Sequence, residues 1–225
     1  MFEGLAKRYD LFNRLTSMGM DGLWRRETLK TVQPGMRVLD LGCGTGDLAI
    51  EAAKKVGGAG KVLGLDFSQN MLSVAQERAK RAGFNGNGPL KFILEKAENL
   101  PAGADSYDLV VSGFVLRNIY ENIDAILEKV YRALKPSGEI RFLDITEPPN
   151  KLFRFAWHWY MTIVTGLYGK ILFGKAYPVS YLIESAKRFV KPKEFKEKLE
   201  KIGFRDIQIK SWVLGTIVLY SAQKK

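Results

Sequence analysis

Short apolar runs alternate with amphipathic stretches along the middle of the chain. Five runs are dense in Val, Ile, Leu and Phe, a composition typical of parallel strands buried on both faces. The runs are RVLDL (37–41), KVLGLD (61–66), LKFILE (90–95), YDLVVSG (107–113) and EIRFLD (139–144). Between them, apolar residues recur at helical spacing over 47–56, 68–82 and 122–134. The alternation predicts a doubly wound α/β sheet with helices on both faces.

The boundaries of these elements carry their own signals. Ser68 stands where a helix N-cap is expected, and Gly83 stands where a C-cap glycine ends the same helix. Lys135-Pro136-Ser137-Gly138 should break the following helix. Near the C terminus, RDIQIKSW and GTIVLYSA are strand-like runs joined by a very short link. They predict an antiparallel hairpin at the sheet edge, and hence a Rossmann-like, mostly parallel sheet of seven strands.

The composition excludes disulfide and zinc chemistry. The chain has 225 residues, one cysteine (Cys43) and one histidine (His158), so no disulfide framework or His/Cys zinc site can form within it, and we expect no metal site. The opening MFEGLAKRYD lacks the order of a signal peptide. The longest charge-free run near the aromatic cluster, 155–169, is shorter than the roughly 20 residues that a spanning helix needs. We therefore expect a soluble, cytoplasmic protein of one domain.

The positive charge is concentrated at one end of the chain. Residues 1–150 are nearly neutral, whereas residues 151–225 hold fifteen Lys and Arg against five Asp and Glu. The last third should therefore meet an anionic partner, which from charge alone is a membrane surface, a nucleic acid or an acidic protein.

A glycine-rich turn follows the first predicted strand: Gly42-Cys43-Gly44-Thr45-Gly46. Such a turn also occurs for structural reasons alone, but its spacing, G-x-G-x-G, differs from the dinucleotide pattern G-x-G-x-x-G. Asp47 takes the place of the last glycine, and a carboxylate there would repel pyrophosphate. A ligand with a cationic centre, such as S-adenosylmethionine, fits better, with Asp40 near its cationic methionine end.

Two further strand ends carry polar residues. Asp66, at the end of the second strand, can accept hydrogen bonds from two ribose hydroxyls, although it can also be an ordinary turn residue. Lys96-Ala97-Glu98 follow the third strand, where backbone and side chains reach an adenine ring. All three segments lie at carboxyl ends of successive strands, which is where open α/β sheets bind ligands.

Longer motifs extend beyond these loops. They are LDLGCGTGDLA, LDFSQNML, KAENLP, GFVLRNI and ALKPSGEIRFLD. Together they resemble the class I S-adenosylmethionine-dependent methyltransferases and, more specifically, the ubiquinone/menaquinone biosynthesis C-methyltransferases. The resemblance covers nearly the whole chain. It includes Arg8-Tyr9-Asp10 with Asn13, Leu23-Trp24-Arg25-Arg26, Leu116-Arg117-Asn118, Tyr181-Leu182-Ile183-Glu184-Ser185 and Gly215-Thr216-Ile217-Val218-Leu219.

The resemblance implies a class I methyltransferase fold, S-adenosylmethionine as methyl donor and S-adenosylhomocysteine as product. We divide the chain 1–225 into an N-terminal helical cap (1–32), a cofactor-binding core (33–145), a helical aromatic and basic lid (146–202) and the terminal hairpin (203–225). The cofactor set is Asp40, Gly42, Cys43, Gly44, Thr45, Gly46, Asp66, Phe67, Met71, Lys96, Ala97, Glu98 and Gly113.

Four positions depart from the family's pattern. Gly42 stands where the family often has alanine, and Val115 stands where it has glycine before L-R-N. Gly113 replaces a usual polar residue, so any contact there would be made by the main chain. Val190 replaces a proline after Y-L-x-E-S. The departures weaken the prediction more for the acceptor than for the cofactor.

The implied reaction is methylation of a ring carbon in a prenylated quinol precursor such as demethylmenaquinol. Deprotonation of the neighbouring hydroxyl would make that carbon more nucleophilic. Arg117 is expected to stabilise the phenolate, with Asn118 orienting the ring oxygen, since an arginine stays protonated; the alternative is a structural arginine bonded to carbonyls. His158 is the only histidine, and among aromatics a packing role competes with catalysis.

Residues 151–175 are rich in aromatics and flanked by lysine and arginine. Phe153, Trp157, Tyr160, Val164, Leu167 and Ile171 follow helical spacing and should pack on the sheet, while Phe155, Trp159 and Tyr168 lie off that stripe. We interpret the segment as a lid that takes a polyprenyl tail from an anionic bilayer, at the inner face of the cell membrane. Tyr9, Trp157, Trp159 and Tyr181 are the predicted substrate and lid residues.

Other functions remain as alternatives. A nucleic-acid methyltransferase is disfavoured, because the [DN]-P-P-[YF] motif of such enzymes is replaced by Ser112-Gly113-Phe114-Val115, and no nucleic-acid partner is expected. Methylation of a phospholipid amine or another lipid-like acceptor is closer, since that acceptor would also use a basic, apolar lid. A module that only senses S-adenosylmethionine is disfavoured by the complete L-R-N and lid regions. The sequence leaves open whether the chain forms a homo-oligomer.

Overall fold

The computed structural model describes residues 12, 14–86, 88–100, 103–173, 179–189 and 191–225. Tyr9, together with Arg8, Asp10 and Asn13 of the same motif, lies outside these residues, as does Val190. The strands are β1 (Arg37–Leu41), β2 (Lys61–Asp66), β3 (Leu90–Leu94), β4 (Tyr107–Gly113), β5 (Leu134–Ile145), β6 (Phe204–Trp212) and β7 (Ile217–Lys224). The helices of this part of the chain are α1 (Asp21–Thr28), α2 (Asp47–Val56), α3 (Gln69–Arg81), α4 (Ile123–Ala133), α5 (Lys151–Tyr160), α6 (Gly166–Phe173), α7 (Val179–Arg188) and α8 (Pro192–Ile202).

The seven strands form one sheet in the order β3-β2-β1-β4-β5-β7-β6. The first five run parallel to one another, and β7 is antiparallel to both of its neighbours. The strand order reverses between β1 and β4, and ligands bind at such a reversal, beyond the carboxyl ends of the strands. The predicted mostly parallel sheet with an antiparallel C-terminal hairpin is confirmed.

One boundary differs from the prediction. Lys135–Gly138 were expected to lie between a helix and a strand, but β5 already begins at Leu134. Leu134 pairs with Tyr107, and the register then shifts so that Glu139 pairs with Leu109. The extra residues form an irregular start to the strand, with Ser137 at φ +62°. Backbone pairing with β4 therefore makes this segment part of a strand, although its local composition predicts a loop between helix and strand.

The core lies on both faces of the sheet. Alternate residues of β1 point to opposite faces: Leu39 and Leu41 join a cluster with α4 and α8, whereas Val38 packs with α2 and α3. Burying each such side chain contributes roughly 1.5–3 kcal/mol. Ser68 caps α3 by accepting from the Met71 N–H, as predicted.

Helix α1 is tied to the sheet by one buried arginine. Arg141 of β5 donates from Nε to the Thr28 carbonyl and from Nη2 to the Glu27 carbonyl, each at 2.9 Å. These carbonyls lie at the end of α1, where the Glu27 carbonyl also accepts from the Lys30 N–H at 3.1 Å, and a cation there suits the helix dipole. Trp24 of α1 packs against Leu143 and Ile217 of the sheet. The arginine therefore fixes the helix over β5 and β7.

The segment from α5 to α6 is interrupted by a π-helical turn at Met161–Thr165. The predicted buried stripe is wrong beyond this turn and also at Phe153, which is 40% exposed. Trp157, Met161 and Thr165 are buried, whereas Leu167 and Ile171 are exposed. A π turn takes more residues than an α-helical turn, so the phase of the apolar face shifts there. Within the described ranges, no helix has both the length and the apolar character that crossing a membrane requires.

Candidate active site

A cavity of about 320 Å³ opens at the carboxyl ends of β1 to β4. It brings together almost the whole predicted cofactor set. The predicted residues that line it are Asp40, Gly42, Cys43, Gly44, Thr45, Asp66, Phe67, Met71, Lys96, Ala97, Glu98 and Gly113. Gly46 does not line it; this residue is the N-cap of α2, with φ +85°.

The glycine turn lies close to the loop that follows β4. Gly42 has φ +72°, a left-handed conformation in which a side chain is strained. A Cβ built on it would lie 2.6 Å from both methyl carbons of Val115. The turn therefore requires glycine at 42 as long as valine occupies 115.

Asp66 is held by backbone donors. The Gly44 N–H donates to Oδ2 at 2.8 Å and the Ser68 N–H to Oδ1 at 2.9 Å. Burial raises the pKa of this carboxyl, while the N–H groups of Ser68, Gly44 and Phe67 counteract the rise. Each carboxylate oxygen retains acceptor capacity, so an oriented Asp66 can receive two further hydroxyl groups.

Asp40 is buried at the floor of the cavity. Neither of its oxygens has a well-aligned hydrogen-bond donor among the described residues, although the Ala49 backbone N–H is near enough to favour the charged form. Burial raises the pKa of Asp40 to about 7, and the nearby charge of Asp66 adds to the rise. A cation entering the cavity would stabilise the ionised form of Asp40.

The Asp47 carboxylate is paired with two arginines. One oxygen pairs with Arg25 of α1 and the other with Arg78 of α3. Arg78 also donates to the Thr45 hydroxyl at 3.0 Å. The two arginines compensate the carboxylate charge, so its expected repulsion of pyrophosphate is much weaker than the sequence indicates. Asp47 instead joins α1, α3 and the glycine turn.

The β3 end forms another side of the cavity. Ala97 is buried at the start of a 3₁₀ turn, Ala97–Asn99. The Glu98 carboxylate accepts from the Asn122 side chain at 3.1 Å, a structural role within the wall. Met71 is buried, while Phe67 is exposed at the rim. A flat apolar ring would therefore find Met71 and Ala97 on its buried side.

A second cavity of about 280 Å³ lies next to the first. It is enclosed by α1, the loop after β4, α5 and the β6–β7 link. Its walls are mainly apolar; they include Phe12, Met18, Trp24, Trp157, Met161 and Leu214. Phe114 lines both cavities, so the two meet at this side chain.

Phe114 has an unusual backbone, with φ +64°. Its carbonyl accepts from Arg117 Nη1 at 2.8 Å and from Asn118 Nδ2 at 3.5 Å, and its N–H donates to the Leu143 carbonyl at 2.7 Å. Left-handed residues other than glycine are uncommon and concentrate at functional sites, where neighbouring bonds hold them. The loop 114–118 is held in this way between the two cavities.

Arg117 lines the second cavity rather than the first. Its Nη1 pairs with Asp144 Oδ1 at 2.6 Å, and its backbone N–H donates to Oδ2 at 3.1 Å. Asp144 is fully buried. The arginine thus has the carbonyl and carboxylate bonds of a structural residue, and it is also part of the lining of the apolar cavity.

Asn118 and Tyr181 line the first cavity from opposite elements. The Tyr181 hydroxyl of α7 donates to Asn118 Oδ1 at 3.0 Å. This bond joins the predicted lid to the loop after β4 and fixes the direction in which the Asn118 amide points.

Other predicted residues are placed elsewhere. His158 Nε2 lies 2.8 Å from Glu147 Oε1, and His158 lines neither cavity. Trp157 lines the second cavity, whereas Trp159 is 56% exposed and lines neither. No group of three or more potential metal ligands occurs in the described part of the chain.

Two residues that shape the site were not predicted from the sequence: Arg25 lines the first cavity and Phe114 lines both. Asp47 was predicted near the ligand, but as an unpaired carboxylate. Arg25 and Phe114 fall within quoted motifs, L-W-R-R and G-F-V-L-R-N, which is the signal that was present. Their contacts join segments far apart in the chain, and no local pattern encodes those contacts.

Comparison with known proteins gives a consistent result. The family model described as ubiE/COQ5 methyltransferase family matches residues 1–224. A protein of Oceanobacillus iheyensis named demethylmenaquinone methyltransferase is 35% identical, across 100% of this chain and 93% of its own length. A protein of Geotalea daltonii named ubiquinone/menaquinone biosynthesis C-methyltransferase is 31% identical, across 100% of this chain and 94% of its own length.

Solved structures agree on the fold. A SAM-dependent methyltransferase from Aquifex aeolicus superposes with a TM-score of 0.64 at 20% identity, over 89% of each chain. A SAM-dependent methyltransferase from Thermotoga maritima gives a TM-score of 0.67 at 19% identity, covering 100% of this chain and 98% of that one. The architecture is therefore that of class I methyltransferases.

Proposed function

The chain belongs to the ubiE/COQ5 methyltransferase family, and on this premise we propose that it transfers a methyl group from S-adenosylmethionine to a ring carbon of a prenylated quinol precursor such as demethylmenaquinol. One observation carries the proposal most directly. A cavity at the strand ends that holds the carboxylates of Asp40 and Asp66, and a second, mainly apolar cavity beside α5, share Phe114 in their linings. Methyl transfer to a hydrophobic acceptor needs a donor site and an acceptor site that open into each other.

The first cavity fits the methyl donor. Asp66 has oriented oxygens for two ribose hydroxyls, and Lys96-Ala97 with Met71 would flank the adenine. Asp40, a buried carboxylate without a well-aligned donor among the described residues, suits the cationic methionine end. When bound, S-adenosylmethionine would supply an electrophilic methyl group.

The second cavity suits the acceptor. Its mainly apolar walls match a quinol ring with the first part of a prenyl tail. The reacting ring carbon has to meet the methyl carbon at roughly 3–3.5 Å, in line with the bond that breaks. Phe114, at the junction of the cavities, would limit how far the ring can enter.

Arg117 and Asn118 both donate to the carbonyl of Phe114, Arg117 from the lining of the second cavity and Asn118 from that of the first. We assign to Arg117 the stabilisation of the phenolate that forms when the ring hydroxyl loses its proton, and to Asn118 the orientation of that oxygen. The low-dielectric surroundings of the second cavity would strengthen the effect of the cation. Because Asp144 partly compensates Arg117, the arginine remains buried as a pair and needs little rearrangement.

Arg117→Lys and Arg117→Met separate these roles. If Arg117 stabilises the phenolate, Arg117→Met should lower kcat by about 100-fold, as for other oxyanion donors, and shift the pH profile of kcat to higher pH, whereas Arg117→Lys keeps the cation and should lower and shift kcat less. S-adenosylhomocysteine affinity should stay within about threefold, because Arg117 lines the other cavity. A loss of thermal stability with kcat and its pH profile unchanged would leave Arg117 with a structural role alone.

An acceptor panel tests the proposal. Purified protein is incubated with methyl-labelled S-adenosylmethionine and, in parallel, short-tailed demethylmenaquinol, a phosphatidylethanolamine and RNA. We expect label in the quinol alone. The relatives' names favour this acceptor over a phospholipid amine. Transfer to the amine or to RNA, with none to the quinol, would refute the proposal.

A further inference from the structure

An apolar stripe runs along the outer face of the segment from α5 to α6. Six large side chains of this segment are 48–74% exposed. They are Leu152, Phe155, Trp159, Ile163, Leu167 and Ile171. Successive members are three or four residues apart, so they form one continuous face about 29 Å long at 1.5 Å per helical residue. We call these six residues the outer stripe.

The charges around the outer stripe have one sign. Lys151, Arg154 and Lys170 lie in the same segment, and the sequence has no Asp or Glu between Glu147 and Glu184. Arg154 is engaged with Glu147, whereas Lys151 and Lys170 are exposed. A helix that combines a solvent-facing apolar face, a Trp and basic flanks has the chemistry of helices that lie in an anionic lipid interface.

The opposite face of the same segment lines the acceptor cavity. Phe153, Trp157 and Tyr160 line the second cavity, while Phe155 and Trp159 face outward. Met18 and Leu214, which also line the cavity, are 70% and 61% exposed. Apolar surface therefore continues from the cavity to the outside of the protein. A large contiguous exposed apolar patch marks an interaction surface.

From these observations we propose that the outer stripe inserts into the surface of an anionic bilayer, with α5 and α6 parallel to the membrane plane and the second cavity open toward the lipid. This inference deepens the proposed function, because a prenylated acceptor dissolves in the bilayer. Lys151 and Lys170 supply the attraction to lipid headgroups, and the six apolar side chains supply the insertion. The other two occupants, a second copy of the chain and an acidic protein, are outcomes of the test.

Vesicle binding tests the inference without methyl transfer. Purified protein is mixed with vesicles of phosphatidylcholine, or of phosphatidylcholine and phosphatidylglycerol in equal parts, and bound protein is measured by flotation. We expect binding to the anionic vesicles that weakens as salt is added. Removing both cations in Lys151→Gln/Lys170→Gln should lower the partition coefficient more than tenfold, at roughly 1 kcal/mol for each cation. The matched control, Lys61→Gln/Lys80→Gln, removes two exposed lysines elsewhere and should bind as the wild type does.

The apolar contribution is tested by Phe155→Gln/Leu167→Gln. This variant should also lose more than tenfold in partitioning, because burying each side chain contributes roughly 1.5–3 kcal/mol. Its control, Leu23→Gln/Leu94→Gln, changes two exposed apolar residues outside the stripe. Native Trp159 gives a second readout: brominated lipid should quench its fluorescence in the wild type, and far less in Phe155→Gln/Leu167→Gln.

Several results would overturn the inference. They are absence of binding to anionic vesicles at low salt, or equal binding by the stripe variant and its control. Light scattering that shows a dimer which the stripe variant dissociates would assign the stripe to a second copy instead. Methyl transfer to a short-tailed acceptor in solution distinguishes failure of the membrane inference from failure of the proposed function. If only the membrane inference is wrong, this activity remains. If the proposed function is wrong, the activity is absent although the protein still binds vesicles.

Discussion

The backbone of Gly42 abuts the side chain of Val115, such that a Cβ on Gly42 would lie 2.6 Å from both valine methyl carbons. From the sequence resemblance alone, alanine was expected at 42 and glycine at 115. The two residues lie in contact, and the absence of a side chain at 42 leaves room for the valine at 115.

A double-mutant cycle measures this compensation. Gly42→Ala should weaken S-adenosylhomocysteine binding by more than tenfold, since overpacking costs about 1–3 kcal/mol. Adding Val115→Gly should restore much of the affinity, and the rest reflects alanine at positive φ. Titration calorimetry on the two single variants and the double variant gives the coupling. Additive effects in the double variant would show that the contact does not limit the turn.

Asp66 provides the second prediction. Asp66→Asn removes the charge and places an amide among the backbone donors Gly44 and Ser68, so the side chain can no longer accept on both oxygens. Affinity for S-adenosylhomocysteine should fall by about 10- to 100-fold, the equivalent of about 1.4–2.8 kcal/mol. Asp124→Asn, the same change at an exposed carboxylate of α4 that does not line the cavity, serves as the control and should change the affinity little. Unaltered affinity in Asp66→Asn would remove Asp66 from the cofactor site.

Asp40 makes stability depend on pH. Its pKa is about 7 in the folded protein and near 3.8 when solvated, because burial disfavours the charged form. Below about pH 4 Asp40 is protonated in both the folded and the unfolded protein, so it does not change the free energy of unfolding with pH. Between about pH 4 and 7 the unfolded chain releases its proton while the folded protein keeps it, so stability falls as pH rises, by at most about 4 kcal/mol at about 1.4 kcal/mol per unit. Above pH 7 Asp40 is ionised in both states, so this loss of stability no longer changes with pH.

Asp40→Asn should therefore stabilise the ligand-free protein at pH 8 more than at pH 4.5, as measured by urea unfolding at both pH values. A ligand with a cationic group near Asp40 favours the ionised carboxylate, so ligand binding should lower the pKa of Asp40. Wild-type affinity for S-adenosylhomocysteine should rise from pH 6 to pH 8, with proton release detected by calorimetry in two buffers of different ionisation enthalpy. A stability difference between variant and wild type that stays constant with pH would contradict the raised pKa.

The bond between Tyr181 and Asn118 links the lid to the loop beside the acceptor. Tyr181→Phe removes the donor, and we expect kcat to fall about threefold to tenfold, as for the loss of one hydrogen bond of 0.5–1.5 kcal/mol. Asn118→Ala removes the same bond from the other side. If the bond matters as proposed, adding Tyr181→Phe to Asn118→Ala lowers kcat no further. Independent, multiplying effects on kcat would argue against it.

Arg141 should determine whether α1 stays in position. Arg141→Met leaves the Thr28 and Glu27 carbonyls without this partner, and the free energy of unfolding should drop by about 2–4 kcal/mol. Arg132→Met is the matched control: Arg132 is exposed and pairs with Glu128 at 3.5 Å, so its loss should change stability by under about 0.5 kcal/mol. Equal unfolding midpoints for the two variants in urea would contradict the assigned role of Arg141.

The strand ends were predictable because their signals are local. Asp40 and Asp66 lie at the carboxyl ends of β1 and β2, and Lys96 lies two residues after β3; parallel strands bring these ends to the same edge of the sheet. The cofactor cavity could therefore be drawn from the sequence almost residue by residue.

The parts of the site that the sequence did not predict depend on contacts between segments far apart in the chain. Nothing near Asp47 indicates that Arg25 and Arg78 will neutralise it, and nothing near Arg117 indicates the buried Asp144. In the lid, a helical wheel with a constant period assigns Leu167 and Ile171 to the wrong face, because the π turn at Met161–Thr165 changes the phase. Such a turn arises from packing, and the apolar pattern alone does not reveal it.

The most direct test of the account is a crystal structure of the protein with S-adenosylhomocysteine and a short-tailed demethylmenaquinol analogue. The account predicts the nucleoside in the first cavity, its ribose hydroxyls on Asp66, and the quinol ring in the second cavity with a ring carbon facing the sulfur past Phe114. A nucleoside bound elsewhere, or a ring that lies on the far side of the glycine turn from Phe114, would contradict it.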